Sequence, residues 1–198
     1  GPFARYSDLL VQACVEQGTH YTDITGENHW VRTLIDKHHE NASLKGVRIV
    51  PSCGYDSIPS DIGTFFAVSQ FNKPVKRVEL FQEMQGGASG GTIETAFSMG
   101  KLSKEMRDPF LLNPENSSTE EQRKFSKDTM RIEKIEELDG WSGMFVMAAG
   151  NTRVVRRTAA LMEQNQNSYG ANFTFGEYGL HKTKKLARRA SYGLILGF

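Results

Sequence analysis

The sequence predicts an α/β protein: the later strands of an open parallel sheet, followed by a mixed α+β region. Three observations carry this. Two short apolar segments, within His20 to Glu27 and Val47 to Gly63, each run straight into a polar, Gly-containing turn. One helical stretch lies between them, which makes a strand–helix–strand unit, and such crossovers imply parallel strands with right-handed connections. After Asn72-Lys73-Pro74 the character changes: Val78, Leu80, Gln82 and Met84 alternate with Arg77, Glu79, Phe81 and Glu83, the pattern of a half-exposed strand.

The elements follow in order. Ser7 to Gln17 reads as a helix with Ser7 as cap, Leu10, Val11, Cys14 and Val15 as its apolar stripe and Gly18 as its stop. His20 to Ile24 is a short strand. Asn28 is expected to cap the next helix, in which Trp30, Val31, Leu34, Ile35 and His38 share a face, and Gly46 ends the connection. Val47, Ile49 and Val50 begin the second strand. Pro59 then fits the first turn of a further helix, where a missing N–H costs nothing, and Asp61 suits the positive end of that helix.

A domain boundary near residue 73 divides the chain into residues 1–72 and 73–198. The loop Gly86-Gly87-Ala88-Ser89-Gly90-Gly91 leads to a helix starting near Thr92. Lys101 to Asp139 is charged and thinly apolar, and reads as a helix, an exposed loop around Pro109 to Thr119 and a second charged helix. Asn151 or Thr152 is expected to cap a helix carrying Arg153, Arg156 and Arg157. Asn172 to Tyr178 looks like a strand.

Composition bounds the partners. Lys+Arg (24) and Asp+Glu (23) nearly cancel, so the balance carries no nucleic-acid signature. Cys14 and Cys53 are too few for a four-ligand metal site or a secreted disulfide framework, which points to reduced intracellular thiols. No run of ~18 apolar residues provides a membrane span. His20 and His29 flank the first turn without ligand-like spacing, and no metal is predicted.

The residues that can carry chemistry sit just past the two strand ends, where open α/β sheets bind ligands. Asp23, Thr25, Gly26 and Glu27 follow one strand; Gly54, Tyr55, Asp56, Ser57 and Ser60 follow the other. Gly26 and Gly54 allow close backbone approach or positive φ. Asp and Ser also cap ordinary helices and turns, but two such turns on one sheet edge favour a ligand. The Gly86–Gly91 loop lacks both G-x-G-x-x-G spacing and a P-loop Lys; anion holding and a plain hinge weigh equally for it. Arg156-Arg157 can clamp a carboxylate or phosphate, though an exposed arginine pair is the commoner arrangement.

Four blocks resemble the saccharopine dehydrogenase-like oxidoreductases, a family that includes the mycobacterial trans-acting enoyl reductases. They are the order GPF–ACVEQGTHYTDITGE, the block VPSCGYDSIPSDIG, the run Gly86 to Thr92, and the run Asn151 to Thr158. The resemblance implies that residues 1–72 are the C-terminal part of a Rossmann-like domain binding NAD or NADP, and that 73–198 are part of an α+β substrate and dimerisation domain. The G-x-G-x-x-G opening is not in this sequence, so roughly a hundred residues of mononucleotide fold are expected before Gly1. The resemblance places Pro2, Phe3, Asp23, Gly26 and Glu27 near the nicotinamide half of the cofactor. It makes Tyr55, Asp56 and Ser57 face the substrate cleft, with Gly54 and Arg156 as further substrate contacts. Related saccharopine reductases carry G-x-D-P-G at a similar turn; Ser57-Ile58 replaces the Pro-Gly here, which speaks against an amino-acid substrate.

The function this implies is hydride transfer from NAD(P)H to a lipid-like or acyl carbonyl or enoyl substrate. Tyr55 or Asp56 can donate the accompanying proton, and water can serve instead. The competing class is a non-catalytic scaffold or accessory subunit that keeps the fold without a working cofactor site. Lys182, Lys184, Lys185, Arg188 and Arg189, close to Leu186, Tyr192 and Leu194, suit an anionic membrane or lipid-droplet surface, although a solvated helix leading into a core element fits nearly as well. The expected setting is cytoplasmic, with a homodimer as the expected assembly.

Overall fold

The computed structural model describes residues 2–83, 107–126 and 131–196. Over these residues it is an α/β chain with two sheets. The first holds two parallel strands, β1 (Tyr21–Thr22) and β2 (Ile49–Val50), with Tyr21 opposite Ile49 and Thr22 opposite Val50. Around it pack α1 (Phe3–Tyr6), α2 (Asp8–Gln17) and the crossover helix α3 (Asn28–Leu44). Their core is Val11, Tyr21, Trp30 and Leu34, with Phe3, Cys14 and Ile49 against it. Gly18 ends α2 in the left-handed conformation at φ 71°, the glycine stop read from the sequence.

Helix α4 (Ile58–Ser69), with Pro59 in its first turn and Asp61 beside it, links this unit to the second. The second sheet has the order β3 (Arg77–Gln82), β6 (Thr174–His181), β5 (Gly140–Gly143), β4 (Lys134–Ile135). β3 thus lies in a different sheet from β1 and β2, but the expected alternation of burial along it is corrected: Arg77 is exposed and Val78 to Gln82 are all half-buried. It runs parallel to β6, while β6–β5 and β5–β4 are antiparallel. A second core of Val155, Tyr169, Phe173 and Phe175 forms beneath this sheet, and Val68 of α4 joins it. The remaining helices are α5 (Glu120–Phe125), α6 (Ala148–Gln164) and α7 (Lys184–Leu196).

Several local expectations are corrected. Ser7 stands before α2, but its side chain makes no capping bond. Leu10 is 56% exposed, and the buried stripe of α2 is Val11 and Val15. Asn28 does not cap α3; its amide donates instead to the Gly150 carbonyl at 3.1 Å, in the second unit. The segment 109–119 is not an exposed loop. Phe110 and Leu112 are buried, and each such side chain contributes about 1.5–3 kcal/mol by leaving water. Its end forms the capping box of α5, Thr119 with Gln122. The second charged helix expected in this stretch is α5, and beyond it Lys134–Ile135 and Gly140–Gly143 are strands joined through a single 3-10 turn at Glu136–Leu138. Helix α6 begins at Ala148, so Asn151 and Thr152 are inside it and buried, with neither as its cap. The glycine loop 86–91 and the helix expected near Thr92 lie outside the described residues.

Candidate functional site

The two post-strand turns are tied to each other through one carboxylate. Asp23 Oδ1 accepts from the Thr25 N–H at 2.9 Å and the Ser52 N–H at 3.1 Å, and Oδ2 accepts from the Tyr21 hydroxyl at 2.9 Å. The Cys53 N–H donates to the Asp23 carbonyl at 2.7 Å, and the Ser52 hydroxyl donates to the Thr25 carbonyl at 2.9 Å. Ser52 takes a left-handed φ of 63° to make these bonds. Burial, and then the neighbouring Asp23, push the Tyr21 phenol well above its ordinary range, so it stays a neutral donor. Gly54 lets the turns close: a Cβ there would stand 3.2 Å from Ile24 Cβ. Gly26 has no left-handed φ.

Glu27 closes the same cluster from the other side. Its carboxylate accepts the Phe3 N–H at 3.0 Å and the Ala4 N–H at 2.9 Å, so it holds the start of α1, just after Pro2. The Phe3 ring stacks on Trp30 with centroids 5.9 Å apart. The structure therefore brings Pro2, Phe3, Asp23, Gly26 and Glu27 into one neighbourhood. Most of their polar atoms already have partners. The Asp23 and Glu27 carboxylates among them are held by backbone N–H groups and the Tyr21 hydroxyl.

Tyr55 is 89% exposed, and Asp56 is exposed beside it, with no hydrogen bond among the described residues. With Ile24, they form the outer rim of the turns. As solvent-reachable O–H and carboxylate groups, they can give or take a proton at a ligand lying across that rim. Cys53, by contrast, is held as a thiol, because burial and then Asp23 push its pKa up. His20 Nδ1 accepts the Arg48 N–H at 3.0 Å. Among the described residues, no group of three or more His, Cys, Asp or Glu side chains is arranged to hold a metal.

Ser57 turns inward. It is buried, and its hydroxyl donates to Asn151 Oδ1 at 3.1 Å. The Asn151 amide donates to Glu177 Oε1 at 3.2 Å and to Ser60 Oγ at 3.3 Å. Ser60 and Gln82 also donate to Glu177 Oε1, at 2.8 and 3.1 Å. Glu177 is 5% exposed, and burial raises its pKa against the pull of these three donors. Its Oε2 has no partner among the described residues. Next to Ser60 on α4, Asp61 accepts from the Thr158 hydroxyl at 2.9 Å, and burial pushes its carboxyl up to about 6.

Arg156 belongs elsewhere. It is buried, donates to the Pro109 and Phe175 carbonyls at 3.0 and 3.2 Å, and lies over the Phe110 ring at 5.4 Å. Arg157 is also largely withdrawn from water and donates to the Leu112 carbonyl. The exposed arginine pair expected as the commoner arrangement is therefore corrected; both arginines pin the 109–112 segment. The sequence reading missed the Asn151–Glu177 link. Its one signal was an acid at an inward position of a strand: Glu177 is buried two residues after buried Phe175.

No family model and no solved structure matches the chain. Curated proteins do. A Mycobacterium tuberculosis protein provisionally named a trans-acting enoyl reductase is 35% identical over 193 residues, 89% of this chain and 45% of its own length. The trans-acting enoyl reductase of Mycobacterium ulcerans is 35% identical over 216 aligned positions, which cover 100% of this chain and 51% of that protein. The trans-acting enoyl reductase of Mycobacterium bovis is 34% identical over 196 residues, 89% of this chain and 46% of its own length. The chain thus spans about half the length of the curated relatives it matches.

Proposed function

We propose that this chain is part of an NAD(P)-dependent oxidoreductase of the saccharopine dehydrogenase-like kind, reducing a lipid-like or acyl carbonyl or enoyl substrate. Residues 1–72 act as the later part of its dinucleotide-binding domain and residues 73–198 as part of its substrate domain. The observation that carries this is the pair of turns at the carboxyl ends of parallel β1 and β2, tied by Asp23. The name shared by the relatives supports the reaction class.

In this reading the cofactor, when bound, supplies the hydride. Pro2, Phe3, Asp23, Gly26 and Glu27 fix the wall against its nicotinamide half. Tyr55 or Asp56 delivers the proton from the exposed rim. Gly54 and Ser57 set the position of that rim, and Arg156 shapes the substrate side by holding the segment around Pro109. The setting is cytoplasmic, the active form a homodimer, and α7 faces a lipid surface.

A scaffold that has lost catalysis is the second reading. It is favoured by the internal use of the Asp23 and Glu27 carboxylates, which leaves Tyr55 and Asp56 as the exposed acid–base groups of these turns. A graft separates the two. The chain replaces the matching segment of the Mycobacterium ulcerans relative, and NADPH oxidation is followed with a 2-enoyl thioester. Turnover that drops in Tyr55→Phe or Asp56→Asn, at unchanged melting temperature, supports the oxidoreductase. A graft that binds NADPH but gives no turnover supports the scaffold. The 198-residue chain alone, which lacks a G-x-G-x-x-G turn, is expected to show no saturable micromolar binding of NADH or NADPH.

A further inference from the structure

A groove of about 340 Å³ runs between α3 and the edge of β2 that faces away from β1. Its volume falls within the roughly 300–1,000 Å³ usual for small-molecule sites. Its walls are apolar: Leu34, Ile35 and Ala42 come from α3, and Val47, Ile49 and Pro51 from the strand segment. The polar side chains around it are almost all of one kind. His38, His39, Arg48 and Arg157 line it, and among the described residues no Asp or Glu does.

Two details mark the basic end. The Arg157 guanidinium is largely buried, which pulls its pKa down, and the nearby Arg32 guanidinium, itself paired with Asp36, adds a smaller push in the same direction. His38, on the groove wall, has an Nε2 with no hydrogen-bond partner among the described residues. An anion seated here accepts from the partly desolvated Arg157 guanidinium, while an alkyl chain covers the apolar wall.

We propose that this groove binds an amphiphilic anion, an acyl chain ending in a carboxylate, with the head at Arg157 and the chain along Ile35 and Ala42 toward Arg48. The site lies on the flank of β2, away from the exposed rim of Tyr55 and Asp56. The proposal therefore stands whether or not the reductase reading holds.

The test uses the 198-residue chain and dodecanoate below its micellar concentration, measured by calorimetric titration. Butyrate serves as the short-chain control and dodecyltrimethylammonium as the control of opposite charge. Saturable 1:1 binding of dodecanoate is expected, with both controls at least about tenfold weaker, a difference of about 1.4 kcal/mol. Arg48→Glu changes an exposed side chain and Ile35→Glu a half-buried one on the wall. Each is expected to weaken dodecanoate about tenfold while far-UV circular dichroism and melting temperature stay as in the parent. Arg157→Gln is expected to weaken it further; because it also alters the contact with Leu112, it is read only alongside the other two variants. Equal binding of the cationic amphiphile, or full affinity in both Arg48→Glu and Ile35→Glu, overturns the proposal, as does absence of saturable binding in the parent chain.

Discussion

Asn151 Oδ1 accepts the Ser57 hydroxyl at 3.1 Å although the two residues are 94 positions apart in the chain. The bond joins the turn after β2 to helix α6, and through the Asn151 amide to Glu177 of β6. The rim that carries Tyr55 and Asp56 is therefore set from beneath by the second sheet as well as from the side by Asp23.

Replacing Asn151 tests this directly. Asn151→Ala leaves the Ser57 hydroxyl and the Glu177 carboxylate short of partners in a fully buried place, which costs about 1–3 kcal/mol per unsatisfied group. A urea unfolding midpoint well below that of the parent is expected. Asn151→Asp should be worse at neutral pH, because it sets a second carboxylate beside Glu177, and should recover as the pH is lowered. An equal loss at all pH values would contradict the assigned contact.

Asp61 gives a pH-dependent prediction with a definite sign. Its folded-state pKa stands near 6 against an ordinary 3.8, so the folded form holds the proton more tightly than the unfolded chain. The contribution of this group is fully present below about pH 4 and is lost as pH rises through 6. Asp61→Asn keeps an acceptor for Thr158 and removes the buried charge. The variant should be more stable than the parent at pH 7, by about 1–3 kcal/mol. The difference should vanish by pH 3.5, as measured by urea unfolding across that range.

Glu27 is the hinge pin of α1. Glu27→Ala removes the acceptor for the Phe3 and Ala4 N–H groups and should cost about 1–2 kcal/mol, in the range of a lost helix cap. Glu27→Gln retains one acceptor oxygen and should lose less. Amide exchange at Phe3 and Ala4, read by NMR, should quicken in the Ala variant. Unchanged exchange would mean that the carboxylate does not hold these groups in solution.

Helix α7 docks through Ala187 and Ser191, both fully buried, and turns Lys185, Leu186, Arg188, Arg189 and Tyr192 outward. The charges and exposed apolar side chains share the outward side, and no described helix is long and apolar enough to cross a membrane. Flotation with anionic vesicles at low salt should carry the chain upward, neutral vesicles should not, and Lys185→Gln with Arg188→Gln and Arg189→Gln should abolish the effect. Each basic residue near the surface contributes about 1 kcal/mol. Failure to float with anionic vesicles would leave α7 as a solvated helix on the sheet.

The parallel unit was legible because its signals are local. Gly18 and Gly46 stop helices, and Pro59 opens one. The pairing of the two turns was legible as proximity on a sheet edge. How their atoms are spent was not: Asp23, Glu27 and Asn28 look like ligand or cap residues in one dimension, and tertiary contacts recruit all three. The arginines of α6 misled for the same reason. Their surroundings are supplied by Pro109 to Leu112, about 45 residues away, and nothing in a helical period announces that. Glu177 could be suspected from its inward register alone, but its partners on α4 and α6 are beyond any local pattern.

The bond from Ser60 to Glu177 spans 117 positions, and this has a consequence for biosynthesis. At roughly 5–20 residues per second, the ribosome releases the turn after β2 on the order of ten seconds before Glu177 emerges. During that interval β1, β2 and α3 can pair and pack, while Ser57 and Ser60 still lack their partners. The turn is thus the last part of the first unit to settle, and a chain stalled or cut before β6 would present a formed sheet with an unfinished edge. Quality control that recognises unfinished edges would find it there.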